Sequence, residues 1–233
     1  MNTIKEMIIE RFEELASTQE YCRARRENKE NLFVSAKRQT DGHGTKGRSF
    51  SSDAGGLYFS MLLFPKEFLA ENAFGVMART AVAVCKTLES FALSPKIKWP
   101  NDIHLAKKKV CGILIENRLQ GKYLSSSLIG VGLNVNNPLP KEISQIACSM
   151  KEHLGKDTDI LEVEKAFRRF FFSPFSFEEY CSRLGYLGEE VCLTVGESTK
   201  KAVLLGVSER GLLEVNLEGE RKEYGAGEIT LRI

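Results

Sequence analysis

Paired cysteines are missing from this chain. Its six cysteines, Cys22, Cys85, Cys111, Cys148, Cys181 and Cys192, are scattered without a single C-x-x-C. That spacing supports neither a zinc site nor a disulfide framework, and reduced thiols in a cytosol account for it. No apolar run approaches the roughly 20 residues of a membrane span. The N-terminal MNTIKEMIIERFEEL is charged throughout, which excludes a secretory signal. Neither sign of charge is in excess: 33 Lys+Arg stand against 31 Asp+Glu, a net +2, so bulk charge demands no polyanionic partner. A G-x-x-x-x-G closed by Lys-Ser/Thr is absent, as are repeats and low-complexity tracts. A cytoplasmic protein with no membrane partner is expected. At 42% hydrophobic and 27% charged, the 233 residues suffice for one large domain, or for one domain with a small appendage.

What is present centres on Lys98 to Glu116, KWPNDIHLAKKKVCGILIE. Trp99, the one tryptophan, is pushed toward an extended conformation by Pro100. Asn101 and Asp102 suit a turn, because their side chains can bond nearby backbone. Three lysines, a glycine and the apolar Ile113-Leu114-Ile115 follow, ending in Glu116. The stretch reads as strand, polar turn, strand: a hairpin that brings an amide, a carboxylate and a lysine to one end of a sheet. A solvated surface hairpin with a basic turn has the same pattern.

Upstream, Glu10 to Leu15 reads as a strand. Ser17 and Glu20 then have capping-box spacing for a helix to about Arg26. Asn31 to Lys37 is a second strand. The loop Gln39-Thr40-Asp41-Gly42-His43-Gly44-Thr45-Lys46-Gly47-Arg48-Ser49-Phe50 combines three glycines with three basic side chains. Glycines permit close backbone approach to a ligand and the cations suit a phosphate; a flexible linker has the same composition. Leu57 to Leu63 is a largely apolar strand expected in mid-sheet. Phe74 to Phe91 has apolar residues at helical spacing and reads as a core helix. Ser126 to Asn137 is another strand, where Gly130 and Gly132 signal close approach by backbone or ligand. A helix over about 161–171 follows, and the phenylalanines at 170–172, 175 and 177 read as core. After Leu187-Gly188 come short strands with glycine-bearing turns, about 45 residues in all, which suggest a small SH3-like β-barrel. The expected division is 1–186 and 187–233.

KWPND followed by KVCGILIE resembles the central motif of biotin–protein ligases. The glycine loop is similar to that family's G-R-G-R-R-G-R-x-W loop: Gln39, Gly42, Gly44, Gly47 and Arg48 keep the pattern, while His43, Thr45 and Phe50 replace two arginines and the tryptophan. Gly130 to Asn136 matches its G-I-G-I-N-V-N strand. The resemblance implies an α+β fold of the class II aminoacyl-tRNA synthetase and biotin ligase type, a mixed central sheet flanked by helices with a C-terminal SH3-like barrel. It implies a catalytic biotin- and ATP-binding domain over 1–186. It also implies the reaction: biotin and ATP give biotinyl-5′-AMP and pyrophosphate, then a lysine of the biotin carboxyl carrier protein of acetyl-CoA carboxylase takes the biotin.

By the same resemblance, Ser17, Thr18, Gln19, Gln39, Gly42, His43, Gly44, Thr45, Trp99, Lys109 and Gly112 are expected around biotin. Arg48, Lys46, Asn101, Asp102 and Asn134 are expected around ATP, with Lys109, Arg48 and Asp102 in catalysis. Bringing a carboxylate against a triphosphate calls for cations to offset the repulsion, and Mg²⁺ held by phosphates and Asp102 joins Arg48, Lys46 and Lys109 in that role. Asp102 could instead help deprotonate the incoming lysine. With two arginines of the loop replaced, looser retention of the adenylate is expected. Only about ten residues precede the first strand, too few for a helix-turn-helix domain, so no DNA partner is expected. A homodimer is allowed. The alternatives are a lipoate or octanoate transferase of related fold, against which KWPND and the K-x-x-G lysine argue, and a module that binds biotin or its carrier without catalysis.

Overall fold

The structure, a computed structural model, describes residues 7–196 and 198–232, apart from the side chains of Lys46, Thr230 and Arg232. Strand β1 (Ile8–Leu15) runs into helix α1 (Thr18–Ala24) and returns parallel to itself as β2 (Leu32–Gln39). A parallel pair needs such a crossover. Ser17 caps α1, its hydroxyl accepting from the Glu20 N–H at 3.4 Å. The reciprocal half of the expected capping box is replaced, because the Glu20 carboxylate pairs with Arg23. Then follow β3 (Leu57–Leu63), helix α2 (Phe74–Ser90), β4 (Lys96–Lys98), β5 (Asp102–Leu105), β6 (Lys108–Gln120) and β7 (Tyr123–Leu133). The seven strands lie in the order β1-β2-β3-β7-β6-β5-β4, antiparallel beyond the first pair.

Alternation along β2 explains how both faces are covered. Leu32 and Val34 pack with Cys22 of α1 on one face. Phe33 joins Phe59 and Met61 in the larger core on the other, against α2 and α4 (Ile160–Phe171). β3 is buried along its whole length, as a strand covered on both faces should be. Two short helices, α3 (Met150–Leu154) and α5 (Phe177–Cys181), complete this part. Phe171 lies in the core, but Phe172 is 40% exposed, so the expectation that the whole phenylalanine run is core fails at that residue.

The expected single hairpin at Lys98 to Glu116 is a three-stranded meander. Four residues, Asp102 to Leu105, pair with β4 on one side and β6 on the other. Ala106 and Lys107 close the second turn with positive φ of 46° and 68°, as a tight two-residue hairpin turn requires. Lys109 therefore sits on a strand rather than in a turn.

The C-terminal segment forms a separate antiparallel sheet, β8 (Glu190–Val195), β9 (Ser198–Val207), β10 (Leu213–Leu217), β11 (Glu220–Tyr224) and β12 (Ile229–Arg232), in the order β11-β10-β9-β8-β12. β11 is a strand that the charged run ERKEY gave no sign of. The apolar core runs on from the first sheet into this one. Polar contacts join the parts, Trp99 Nε1 donating to the Gly211 carbonyl at 3.0 Å and Lys107 Nζ lying 3.6 Å from Glu189 Oε2; just before the second sheet, the Tyr186 hydroxyl lies 2.8 Å from His104 Nδ1.

His104 is buried, and burial, with Lys98 nearby, pulls its pKa down to about 4. The unfolded chain takes up that proton near its ordinary value of 6.5. Below pH 6.5 protonation therefore favours unfolding, and stability falls as the pH drops toward 4. The loss expected from this one group is about 2–3 kcal/mol. Denaturant melts of His104→Gln and the parent chain between pH 7 and pH 4 check it; parallel curves would remove His104 from the acid sensitivity.

Candidate active site

A small cavity of about 40 Å³ lies where α1, the 39–50 loop and the β6–β7 floor meet. Its polar end is built by backbone position and then locked by hydrogen bonds. The start of α1 presents Ser17, Thr18 and Gln19, all buried. Gln39, the last residue of β2, accepts from both the Thr18 N–H (2.8 Å) and the Thr18 hydroxyl (3.0 Å). Its amide nitrogen donates to the Ser52 hydroxyl at 2.9 Å, and Ser60 of β3 lies 2.9 Å from the Thr18 hydroxyl. Gln19 donates to Glu116 at 2.9 Å, and Arg23 grips the same carboxylate. An acceptor-only partner orients the Gln19 amide, turning its oxygen toward Gly130. A methyl group on Gly130 would overlap that oxygen, which is why β7 carries glycine there.

The apolar end is formed by Phe59 and Phe50. The Phe50 ring stands over Gly112 and Gly132; a side chain at Gly132 would collide with it, and one at Gly112 would press against it and against Lys109. By water-sized measure the space holds about three waters, so entry of a ring-sized ligand requires Phe50 and its loop to move outward. The loop is tied to itself. Phe50 N–H donates to Gly42 (2.8 Å), Gly44 N–H to Arg48 (2.6 Å), and Arg48 reaches back to the Thr45 carbonyl (3.2 Å) and hydroxyl (3.0 Å).

Lys109 lies at the mouth of this cavity. Its ammonium is 2.7 Å from Asp102 Oδ1 and 5.9 Å from the Phe50 ring centre. A Cβ on Gly112 would stand 3.0 Å from Lys109 Nζ, so the K-x-x-G spacing keeps room for the lysine. Beyond it opens a second, larger space of about 950 Å³ between the two sheets. Asn101 and Thr45 line both spaces. Arg48, Lys98 and Arg210 are the cations of the larger groove, and Asp102 is the one carboxylate among its described lining residues. Burial, with Lys109 and Arg48 nearby, holds the Lys98 ammonium below its ordinary range, against the pull of Asp102.

Most of the residues expected around biotin line the small cavity: Ser17, Thr18, Gln19, Gln39, His43, Gly44, Thr45, Lys109 and Gly112. Two stand elsewhere. Gly42 lies beneath the loop, where a side chain would meet the Phe50 carbonyl. Trp99 lines the larger groove and not the small cavity, because its indole N–H is drawn to Gly211. Of the residues expected around ATP, Arg48, Asn101 and Asp102 line the groove. Asn101 is largely committed to the fold, bonding the Ile113 carbonyl through its amide at 2.8 Å and the Ile113 N–H through its own carbonyl at 3.0 Å. Asn134 lines neither space; its side chain donates to the Cys148 carbonyl (3.1 Å) and accepts from Asn137 (3.1 Å), knotting the end of β7. The Lys46 side chain lies outside the described residues. Sequence reasoning passed over Phe50 as a cavity wall, Ser60, Lys98 and Arg210. A lysine directly before Trp99 was a visible sign for one of them; Arg210 had none.

Comparison with known proteins places the chain in a family. The biotin/lipoate A/B protein ligase family model matches residues 12–134, from β1 to just past β7. The bifunctional ligase/repressor BirA of Bacillus subtilis is 32% identical over 91% of this chain and 70% of its own length. A biotin–[acetyl-CoA-carboxylase] ligase of Paracoccus denitrificans is 24% identical over 85% of this chain and 90% of its own. Among solved structures, the biotin protein ligase of Aquifex aeolicus in complex with biotin and ATP superposes with a TM-score of 0.79 at 36% identity, covering 97% of this chain and 98% of that one. A family match over more than half of the residues, together with relatives alike along nearly the whole chain, makes this protein a member of the biotin/lipoate A/B protein ligase family.

Proposed function

We infer that the chain activates biotin with ATP and transfers it to a lysine of a carrier protein. The observation that carries this reading is the position of Lys109, an ammonium that lines the small amide-and-hydroxyl cavity and pairs with Asp102, which lines the cation-lined groove. The two spaces suit the two substrates. A ureido ring offers N–H donors and a carbonyl acceptor, which Thr18, Gln39 and the oriented Gln19 amide can pair, while Phe50, Phe59 and the glycine floor accept its apolar ring and chain. Its carboxylate then reaches Lys109. The phosphates of ATP suit the groove lined by Arg48 and Lys98.

The chemistry follows from the charges. A carboxylate oxygen attacks the α-phosphorus, the bond to the bridging oxygen breaks, and pyrophosphate leaves. Lys109 offsets the repulsion between the two anions and stabilises the charge that develops at phosphorus. In the second step the carrier's amine attacks the acyl carbon, the bond to AMP breaks, and the amine's extra proton departs. Asp102, held against Lys109, lies close enough to that lysine to fix its direction. Magnesium fits through the nucleotide: among the described residues no three His, Cys, Asp or Glu side chains gather around a metal-sized space, and Asp102 is the groove's one carboxylate. That ion is commonly held by one or two carboxylates plus substrate phosphates; Asp102 would be its protein ligand, and bound there it would supply further positive charge against the phosphates.

We place biotin and ATP binding in residues 1–186 and read residues 187–233 as an SH3-like module that assists ATP or carrier engagement. The carrier proposed is the biotin carboxyl carrier protein of acetyl-CoA carboxylase, which the name of the Paracoccus relative supports. The free thiols suit a reducing cytoplasm. The test is mass spectrometry of a biotin carboxyl carrier domain after incubation with the chain, ATP, Mg²⁺ and either biotin or octanoate. Biotin should appear on one lysine and octanoate should not; labelling by octanoate alone would favour the transferase reading.

A further inference from the structure

Arg210 belongs to the C-terminal sheet, yet it lines the groove that Lys98 and Arg48 line from the first sheet. It stands in the turn joining β9 to β10, and that turn is firmly mounted. The Gly211 N–H donates to Ser208 (2.8 Å), the Ser208 N–H to Leu212 (2.9 Å), and the Leu212 N–H to the Ser208 hydroxyl (3.2 Å). Gly211 has φ of +83°, packs against the Phe74 ring too closely for any side chain, and accepts the Trp99 indole N–H at 3.0 Å. The residue before it is thereby held over the groove by the tryptophan of KWPND itself.

The charges there do not balance. Among the described residues, Arg210 and Lys98 make no ion pair, and Arg48 bonds its own loop. The groove's one carboxylate, Asp102, is already engaged by Lys109 at 2.7 Å. Among the described residues, three cations that make no ion pair surround a space of about 950 Å³ with one shared carboxylate, a site for a polyanion rather than for a neutral or cationic ligand. Lys109 takes up the junction with the small cavity, so the cations that lie in the groove alone face what extends beyond that junction.

We propose that Arg210 is a phosphate-binding residue, through which the C-terminal sheet completes the site for the β- and γ-phosphates of the nucleotide. The proposal rests on the ligation reading above for the identity of the polyanion. The role of Trp99 is then to hold the turn that bears Arg210, which explains why a buried indole spends its one donor on the other sheet.

The full chain, Arg210→Ala and Arg210→Lys should be compared by calorimetry with the unreactive α,β-methylene analogue of ATP, with adenosine, and with biotin, alongside ATP-dependent pyrophosphate release. In Arg210→Ala the analogue's Kd and the KM for ATP should rise about ten- to a hundredfold. Biotin and adenosine affinities, and kcat at saturating ATP, should stay near those of the parent, and Arg210→Lys should recover part of the loss. Analogue affinity within about twofold of the parent would overturn the proposal. So would an equal loss for adenosine or biotin, since that marks a collapsed groove rather than a lost phosphate contact. If the parent chain binds the analogue but forms no adenylate with biotin, the ligation reading fails while the phosphate role of Arg210 stands; if the parent ligates and Arg210→Ala is unaffected, the proposal alone fails.

Discussion

Lys109→Ala should abolish pyrophosphate release, by about a thousandfold or more, while leaving the fold intact. The substitution acts twice. It removes the ammonium that lines the small cavity beside the groove, and it frees the Asp102 carboxylate that the lysine holds at 2.7 Å. Losing one preorganised donor to developing charge costs about 10²–10³ in rate, and an unpaired carboxylate facing an attacking carboxylate and a triphosphate adds repulsion. Two features separate this from a folding defect. The Lys109 side chain is 34% exposed, so its truncation opens no core cavity. In addition, Lys109→Arg, which keeps a cation beside Asp102, should retain part of the rate that Lys109→Ala loses. Near-normal release from a folded Lys109→Ala protein would sink the assignment.

Thr45→Arg should slow release of the adenylate by about ten- to a hundredfold, the worth of one charge-assisted hydrogen bond. Thr45 lines both the cavity and the groove, where an intermediate spanning the two would pass. It also tethers Arg48 through its hydroxyl at 3.0 Å and its carbonyl at 3.2 Å. An arginine at position 45 would add a charge at the junction and loosen that tether. Thr45→Ala separates the two effects, since it loosens the tether without adding charge. Adenylate dissociation timed in a single-turnover experiment is the measurement; an unchanged or faster rate in Thr45→Arg would mean that the loop already holds the intermediate by other groups.

The parts of the site that could be read from sequence are those whose geometry is local. A capping serine ahead of Thr18 and Gln19, a glycine that leaves room for a lysine three residues earlier, and two glycines flanking Val131 each state a backbone or packing requirement within a few residues. β5 escaped because four residues containing Asp102 and His104 do not look like a strand; only pairing on both sides makes them one. Trp99 was expected at the biotin because an aromatic beside a site suits an apolar wall. Its actual partner, Gly211, lies 112 residues away, a contact that no local pattern encodes. Asn134 shows the opposite case: its neighbours Asn136 and Asn137 were visible, but that Asn137 would engage its side chain depends on how the chain turns after β7. Phe50 was noted as a departure from tryptophan, and its place over Gly112 and Gly132 follows from the loop folding back on Gly42.

The central claim is that the small cavity and the cationic groove meet beside the Lys109–Asp102 pair so that an acid and a nucleotide react there. Its most direct test is a quenched single-turnover reaction of the parent chain with ATP and Mg²⁺, with mass spectrometry of the released small molecules. With biotin present, biotinyl-5′-AMP and pyrophosphate should form in equal amounts before any carrier is added. With biotin omitted, no pyrophosphate should be released. A folded chain that binds both substrates and yields no biotinyl-5′-AMP, or one that makes the adenylate of octanoate in its place, would contradict the account.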